Sequence, residues 1–157
     1  MKFNKLGLIG ALCAAGLIGN TAALAADTAT VDVSANVVGT CKFNSGGSIA
    51  FTLDPTSSAA ATGTVADPAF WCTKGASWTV SDDDGLHGTG AGARRMQHDT
   101  TLTEFIPYSF SYTTTGTGLG KTSPIILALT GATVANTDFV NAEAGNYADT
   151  VTLSIAP

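Results

Sequence analysis

The sequence predicts an all-β sandwich, and three observations carry the prediction. Apolar side chains recur at every second position in short runs, clusters of Gly, Ser, Thr, Asn and Asp separate the runs, and helix-like periodicity is almost missing beyond the first 26 residues. From Cys41 onward about six core strands can be counted, one fewer than the seven of a closed immunoglobulin-like sandwich.

At the start of the chain, Lys2 and Lys5 precede an apolar run from Leu6 to Ile18, and small residues follow up to Ala25. This is the layout of a secretory signal, with cleavage expected after Ala25 or Ala26. A run of about 13 apolar residues is short of the roughly 20 that a spanning helix needs. The reading is therefore a signal peptide over 1–25 and a mature chain of about 131 residues, enough for one domain with a real core.

Ala29 to Val38, ATVDVSANVV, is the clearest alternating strand. Ala29, Val31, Val33, Ala35 and Val37 form an apolar face, and Thr30, Asp32, Ser34 and Asn36 a polar one. Only Gly39 and Thr40 separate Val38 from Cys41, so this arm, 26–39, reaches a groove of its own domain less readily than that of another subunit. It reads as a donor strand.

The domain that follows spans 40–157. Ile49, Phe51 and Leu53 share a face before a turn at Asp54 and Pro55; Phe70 and Cys72 share another, with Trp71 pointing away as a possible subunit contact. An exposed Trp is a residue type enriched at interfaces. Trp78 and Val80 form a short strand ending in Asp82, Asp83 and Asp84. Ile106, Tyr108, Phe110 and Tyr112 make one aromatic strand, its Pro107 calling for an edge or a bulge. Ile125, Leu127 and Leu129 come next, and Tyr147 to Ile155 closes the chain as a clean alternating strand with Val151, Leu153 and Ile155 inward. Two stretches, Thr56 to Thr64 and Asp82 to Thr101, read as surface loops.

Cys13 leaves with the signal, so Cys41 and Cys72 remain as an even pair in an exported chain, which is read as a disulfide. A zinc site would need four ligands, and His87 and His98 lack the spacing. After the signal, five basic residues face twelve acidic ones, a balance of −7, which argues against nucleic acid or anionic lipid as partners. No cofactor, metal or small-molecule substrate is expected. Gly120, Lys121 and Thr122 resemble the end of a phosphate loop, but Thr115 stands where that loop requires Gly. The Asp82 to Gly85 turn lacks the spaced ligands of an EF-hand. His87 and His98, near Asp99 and Glu104, have no nucleophile motif beside them, so enzyme activity is not expected. Arg94 and Arg95 could pair with the Asp82 to Asp84 turn or hold a partner's carboxylate, and are read first as solvated.

The lead-in VDVSANVVGTC (Val31 to Cys41), CTKGASWTV (Cys72 to Val80), GARRM (Gly92 to Met96), IPYSF (Ile106 to Phe110) and GNYADTVTLSI (Gly145 to Ile155) resemble, in order and spacing, the spore coat protein U domain family, which includes pilin subunits of archaic chaperone-usher pili. The resemblance implies an incomplete immunoglobulin-like β-sandwich lacking its last strand and carrying an N-terminal donor-strand arm. It also implies a periplasmic chaperone and an outer-membrane usher as partners, a homopolymer as product, and export through the periplasm to a fimbrium that supports adhesion or biofilm formation. Carried over, the donor face is Val31, Val33, Ala35 and Val37, which the alternation extends back to Ala29, and the acceptor groove is bordered by Val151, Leu153 and Ile155. One departure is TTTGTGLGKTS (Thr113 to Ser123), where many relatives have a charged stretch and a Trp. The family's name keeps a second role open, a monomeric or self-associating extracellular or spore coat protein.

Overall fold

A computed structural model describes residues 26–157, so the expected signal peptide over 1–25 lies outside the described residues. Two compact units divide the chain, Met1–Ala35 and Asn36–Pro157. The described part of the first is exposed and forms no strand ladder. The alternation of residues 26–35 therefore corresponds to no strand among the described residues.

The second unit is almost entirely β. In chain order its elements are β1 (Cys41–Ser45), β2 (Ser48–Ala50), β3 (Ala61–Thr62), β4 (Thr64–Ala66), β5 (Ala69–Cys72), β6 (Ser77–Asp82), β7 (Arg95–His98), β8 (Phe105–Pro107), β9 (Ser109–Ser111), β10 (Thr115–Thr117), β11 (Ile125–Ile126), β12 (Thr130–Val134), α1 (Asn136–Phe139), β13 (Tyr147–Ala148) and β14 (Leu153–Ala156). They form three-stranded sheets β1-β5-β11, β10-β6-β14, β3-β12-β9 and β13-β7-β8, and the pair β2-β4. Every ladder among the described residues is antiparallel.

Two hydrophobic clusters fill the sandwich. Phe70 and Cys72 from β5 face Trp78 and Val80 from β6, with Leu127 between them, and Cys41, Phe43, Tyr112, Leu153 and Ile155 pack around. The period of two does this: in β6 the alternate residues Trp78 and Val80 are buried while Ser77, Thr79 and Ser81 are exposed. Each such large apolar side chain contributes about 1.5–3 kcal/mol when buried. Gly116, opposite Trp78 across the β10-β6 ladder, leaves room for the indole, which any side chain there would strike. The second cluster is Ile106, Val134 and Phe139, with Phe51, Leu53, Met96, Tyr108 and Tyr147 against it.

Several elements differ from the sequence reading. The aromatic strand is two strands, because the chain changes sheets at Pro107: β8 pairs with β7 and β9 with β12. Proline lacks an N–H and marks the switch. The Asp82 to Thr101 stretch is not all loop, since Arg95–His98 is the central strand of its sheet and His98 is buried. Thr56 to Thr64 likewise holds β3 and the first residue of β4. The closing strand is interrupted between Ala148 and Leu153, although Asp83 N still donates to Thr152 O and Leu86 N to Thr150 O. Its alternation holds, with Val151, Leu153 and Ile155 half-buried and Thr150, Thr152 and Ser154 exposed. The turn α1 was not expected; it carries buried Phe139 into the second cluster.

Candidate functional site

The site is a groove. One wall is Ile49, Phe51 and Leu53, which start in β2 and continue past its end; the other is the closing run from Tyr147 to Leu153. Between them lie two cavities of about 430 and 590 Å³, which share Ile49, Phe51, Met96 and Tyr147 and so form one trough. The first is closed at its end by Pro68 and Leu129, and the second by Phe139 and Ala142. Seven residues of wall at about 3.3 Å each give roughly 23 Å, the length of an ordinary strand.

The floor is aromatic and braced from below. Phe51 and Tyr108 have ring centroids 6.1 Å apart, and Tyr108 stacks on Phe110 at 6.3 Å. The Tyr108 hydroxyl donates to Asp149 Oδ2 at 2.8 Å, while Asp149 Oδ1 accepts from His87 N. Burial first, and then the Asp149 carboxylate, push the Tyr108 phenol up, so it keeps its proton and ties the floor to the wall. Under Phe110, Arg94 lies 4.2 Å from the ring centroid, donates to Phe110 O at 3.2 Å, and pairs with Asp82 Oδ2.

Tyr112 also donates to Asp82 Oδ2, at 2.7 Å. Burial alone would raise the Asp82 carboxyl, but the hydrogen bonds from Tyr112, the Asp84 amide and Arg94 outweigh it and hold the group below its ordinary value. Burial and Asp82 push the Tyr112 phenol up to about 12. The solvated reading of Arg94 is therefore overturned: buried among a carboxylate, a carbonyl and a ring, it is part of the frame. Arg95 is also engaged, donating to His87 O with its guanidinium 3.9 Å from the Phe105 centroid.

The remaining sequence candidates fall as follows. Cys41 and Cys72 are bonded, with Cα atoms 4.1 Å apart, directly opposite in the β1-β5 ladder. Val151 and Leu153 line the groove, whereas Ile155 packs in the Phe70 cluster. Trp71 is half-buried, with Lys121 Nζ 5.8 Å from its ring centroid. In the arm, Val31, Val33 and Val37 are 83%, 89% and 80% exposed. His98 Nδ1 accepts from the amides of Thr100 and Thr101, which makes it a cap for its own loop. Sequence reasoning missed the facing wall and the floor. The period-two pattern at Ile49, Phe51 and Leu53 was visible, but it reads equally as ordinary core.

A family model described as Spore Coat Protein U domain matches residues 27–154. No curated protein matches the chain. Among solved structures, one similar chain comes from the crystal structure of the CsuC-CsuE chaperone-tip adhesion subunit pre-assembly complex from archaic chaperone-usher Csu pili of Acinetobacter baumannii. The two share 18% identity over 76% of this chain and 40% of that one, with a TM-score of 0.45. This chain thus spans less than half the length of that neighbour.

Proposed function

The chain belongs to the spore coat protein U domain family, and from that premise we propose that it is the structural subunit of a secreted surface fibre, polymerising by donor-strand exchange. Each subunit lays its arm, through Ala29, Val31, Val33, Ala35 and Val37, into the groove of the next. A periplasmic chaperone holds the groove beforehand, and an outer-membrane usher directs the exchange.

One observation carries the reading: a strand-length groove walled by Ile49, Phe51, Leu53, Val151 and Leu153, and an apolar-faced, exposed arm, occur in the same chain. Strand addition is a general mode in which backbone hydrogen bonds supply affinity and alternate side chains fill pockets. Burial of the three valines would contribute about 1.5–3 kcal/mol each as an upper range, and the ladder adds to it.

Val33→Asp tests this, because a charge on the donor face would be buried without a partner. Such a subunit accepts an arm but does not donate one, so it ends growth on one side, and deletion of Asp27 to Asn36 has the same effect. Long fibres assembled from either variant alone contradict the proposal. They would favour the coat role, with the groove filled by some other means.

A further inference from the structure

The lysines of the domain gather at one pole. Lys42, Lys74 and Lys121 are the three lysines of the described residues, and all are exposed. They gather around Trp71. Lys42 is its cross-strand partner, Lys121 reaches toward its ring, and Lys74 Cβ lies 3.7 Å from where a side chain on Gly120 would begin. The chain toward the arm leaves from this same pole. The Thr73 hydroxyl donates to Val38 O at 3.2 Å, Thr73 N donates to Thr40 O, and Gly39 lies against Ala76 and Pro157.

At the other end of the closing run, exposed Asp99, Glu104 and Glu143 surround Tyr147. Asn146 Nδ2 donates to Asp99 at 3.2 Å, the Tyr147 hydroxyl donates to Glu143 O at 3.0 Å, and burial followed by the charges of Glu104 and Glu143 raises the Tyr147 phenol. The nearby cation, Arg95, is stacked over Phe105. The run from Tyr147 to Ala156 at about 3.3 Å per residue separates the poles by roughly 30 Å. That is several times the Debye length of about 8 Å, so they do not neutralise each other within one molecule.

The groove gives these poles a consequence. Its walls run in opposite directions, Ser48 to Leu53 toward Phe139 and Tyr147 to Leu153 away from it. A strand between them is antiparallel to one and parallel to the other whichever way it points, so backbone pairing alone does not set its direction. Charge does. If the arm enters at the Glu143 end, only Val38 to Cys41 separate its Val37 from the donor's Lys42, and the lysine pole descends on the acceptor's acidic pole. At the opposite end, three lysines would meet three lysines.

Resting on the donor-strand reading, we infer that Trp71 with Lys42, Lys74 and Lys121 is a second subunit contact, docking on Asp99, Glu104 and Glu143 of the next copy of this chain. Like-charge juxtaposition suppresses the wrong register, and opposite charges steer the right one.

The test uses the mature chain with Lys74→Cys and Glu104→Cys together. Within one molecule these positions are too far apart to bond. Oxidised fibres of the double variant are expected to run as a covalent ladder on a non-reducing denaturing gel, with no ladder from either single variant. In parallel, Lys42→Glu/Lys74→Glu/Lys121→Glu slows assembly at low ionic strength by about tenfold or more, and adding Asp99→Lys/Glu104→Lys/Glu143→Lys restores the rate. Fibres of the double-cysteine chain without a ladder, or a ladder from Lys74→Cys alone, overturn the pole-to-pole contact while leaving donor-strand exchange standing. If the parent chain forms no fibre that Val33→Asp abolishes, the donor-strand reading fails, and this inference with it.

Discussion

The two hydrophobic clusters of the domain are finished to different degrees. Around Phe70 the packing is closed: Phe70 and Cys72 are fully buried, a disulfide ties β1 to β5, and Trp78 meets Phe70 edge to face at 5.0 Å. Around Ile106 and Phe139 the packing opens into the groove, where Phe51, Leu53, Met96 and Tyr147 are only half-buried. The open half leaves apolar side chains between its walls, which on the proposed reading one more strand would cover.

Substitution should separate the halves. Phe70→Ala is expected to cost about 3–5 kcal/mol by the large-to-small rule, read as the midpoint of denaturant unfolding of the monomer. Phe51→Ala, on the half-buried wall of the groove, should cost the monomer far less and, on the proposed reading, weaken its capture of an arm. Equal losses at the two positions would erase the distinction. Next in size is the disulfide: Cys41→Ser/Cys72→Ser frees a loop of about 30 residues, worth about 3–4 kcal/mol on the chain-entropy account. Unfolding of that variant should be markedly easier, with little change in arm affinity per folded molecule.

A smaller effect is expected from acid. The Asp82 carboxyl is lowered in the folded chain, and Asp54 and Asp83 are shifted in the same direction. For groups lowered on folding, the stabilisation is present above their unfolded value, near 4, and is lost as pH falls through the lower folded value. Stability should therefore decline below about pH 4, and Asp82→Asn should flatten part of that decline. A profile unchanged by the substitution would remove Asp82 from the frame beneath Phe110.

Much of this architecture is legible in the sequence where one face is wet and the other dry. Trp78 and Val80, Phe70 and Cys72, and the closing alternation at Val151, Leu153 and Ile155 follow from a period of two. What escapes is set by contacts distant in sequence. The buried Arg94 comes from a Gly-rich stretch that looks like loop, and its partners Asp82 and Phe110 lie 12 and 16 residues away. The break at Pro107 depends on which sheet claims each half of the aromatic run. The groove is a space between walls nearly a hundred residues apart, and one wall, Ile49 to Leu53, carries the same pattern as closed core.

The most direct test of the central account is to offer the arm in trans. The mature chain carrying Val33→Asp is mixed with a labelled peptide of Ala29 to Val38, and binding and thermal unfolding are followed together. A strand that completes the open half should bind with slow dissociation and raise the unfolding midpoint in a concentration-dependent way, while the same peptide with Val33→Asp does neither. Equal behaviour of the two peptides, or no shift at saturating peptide, would contradict the account.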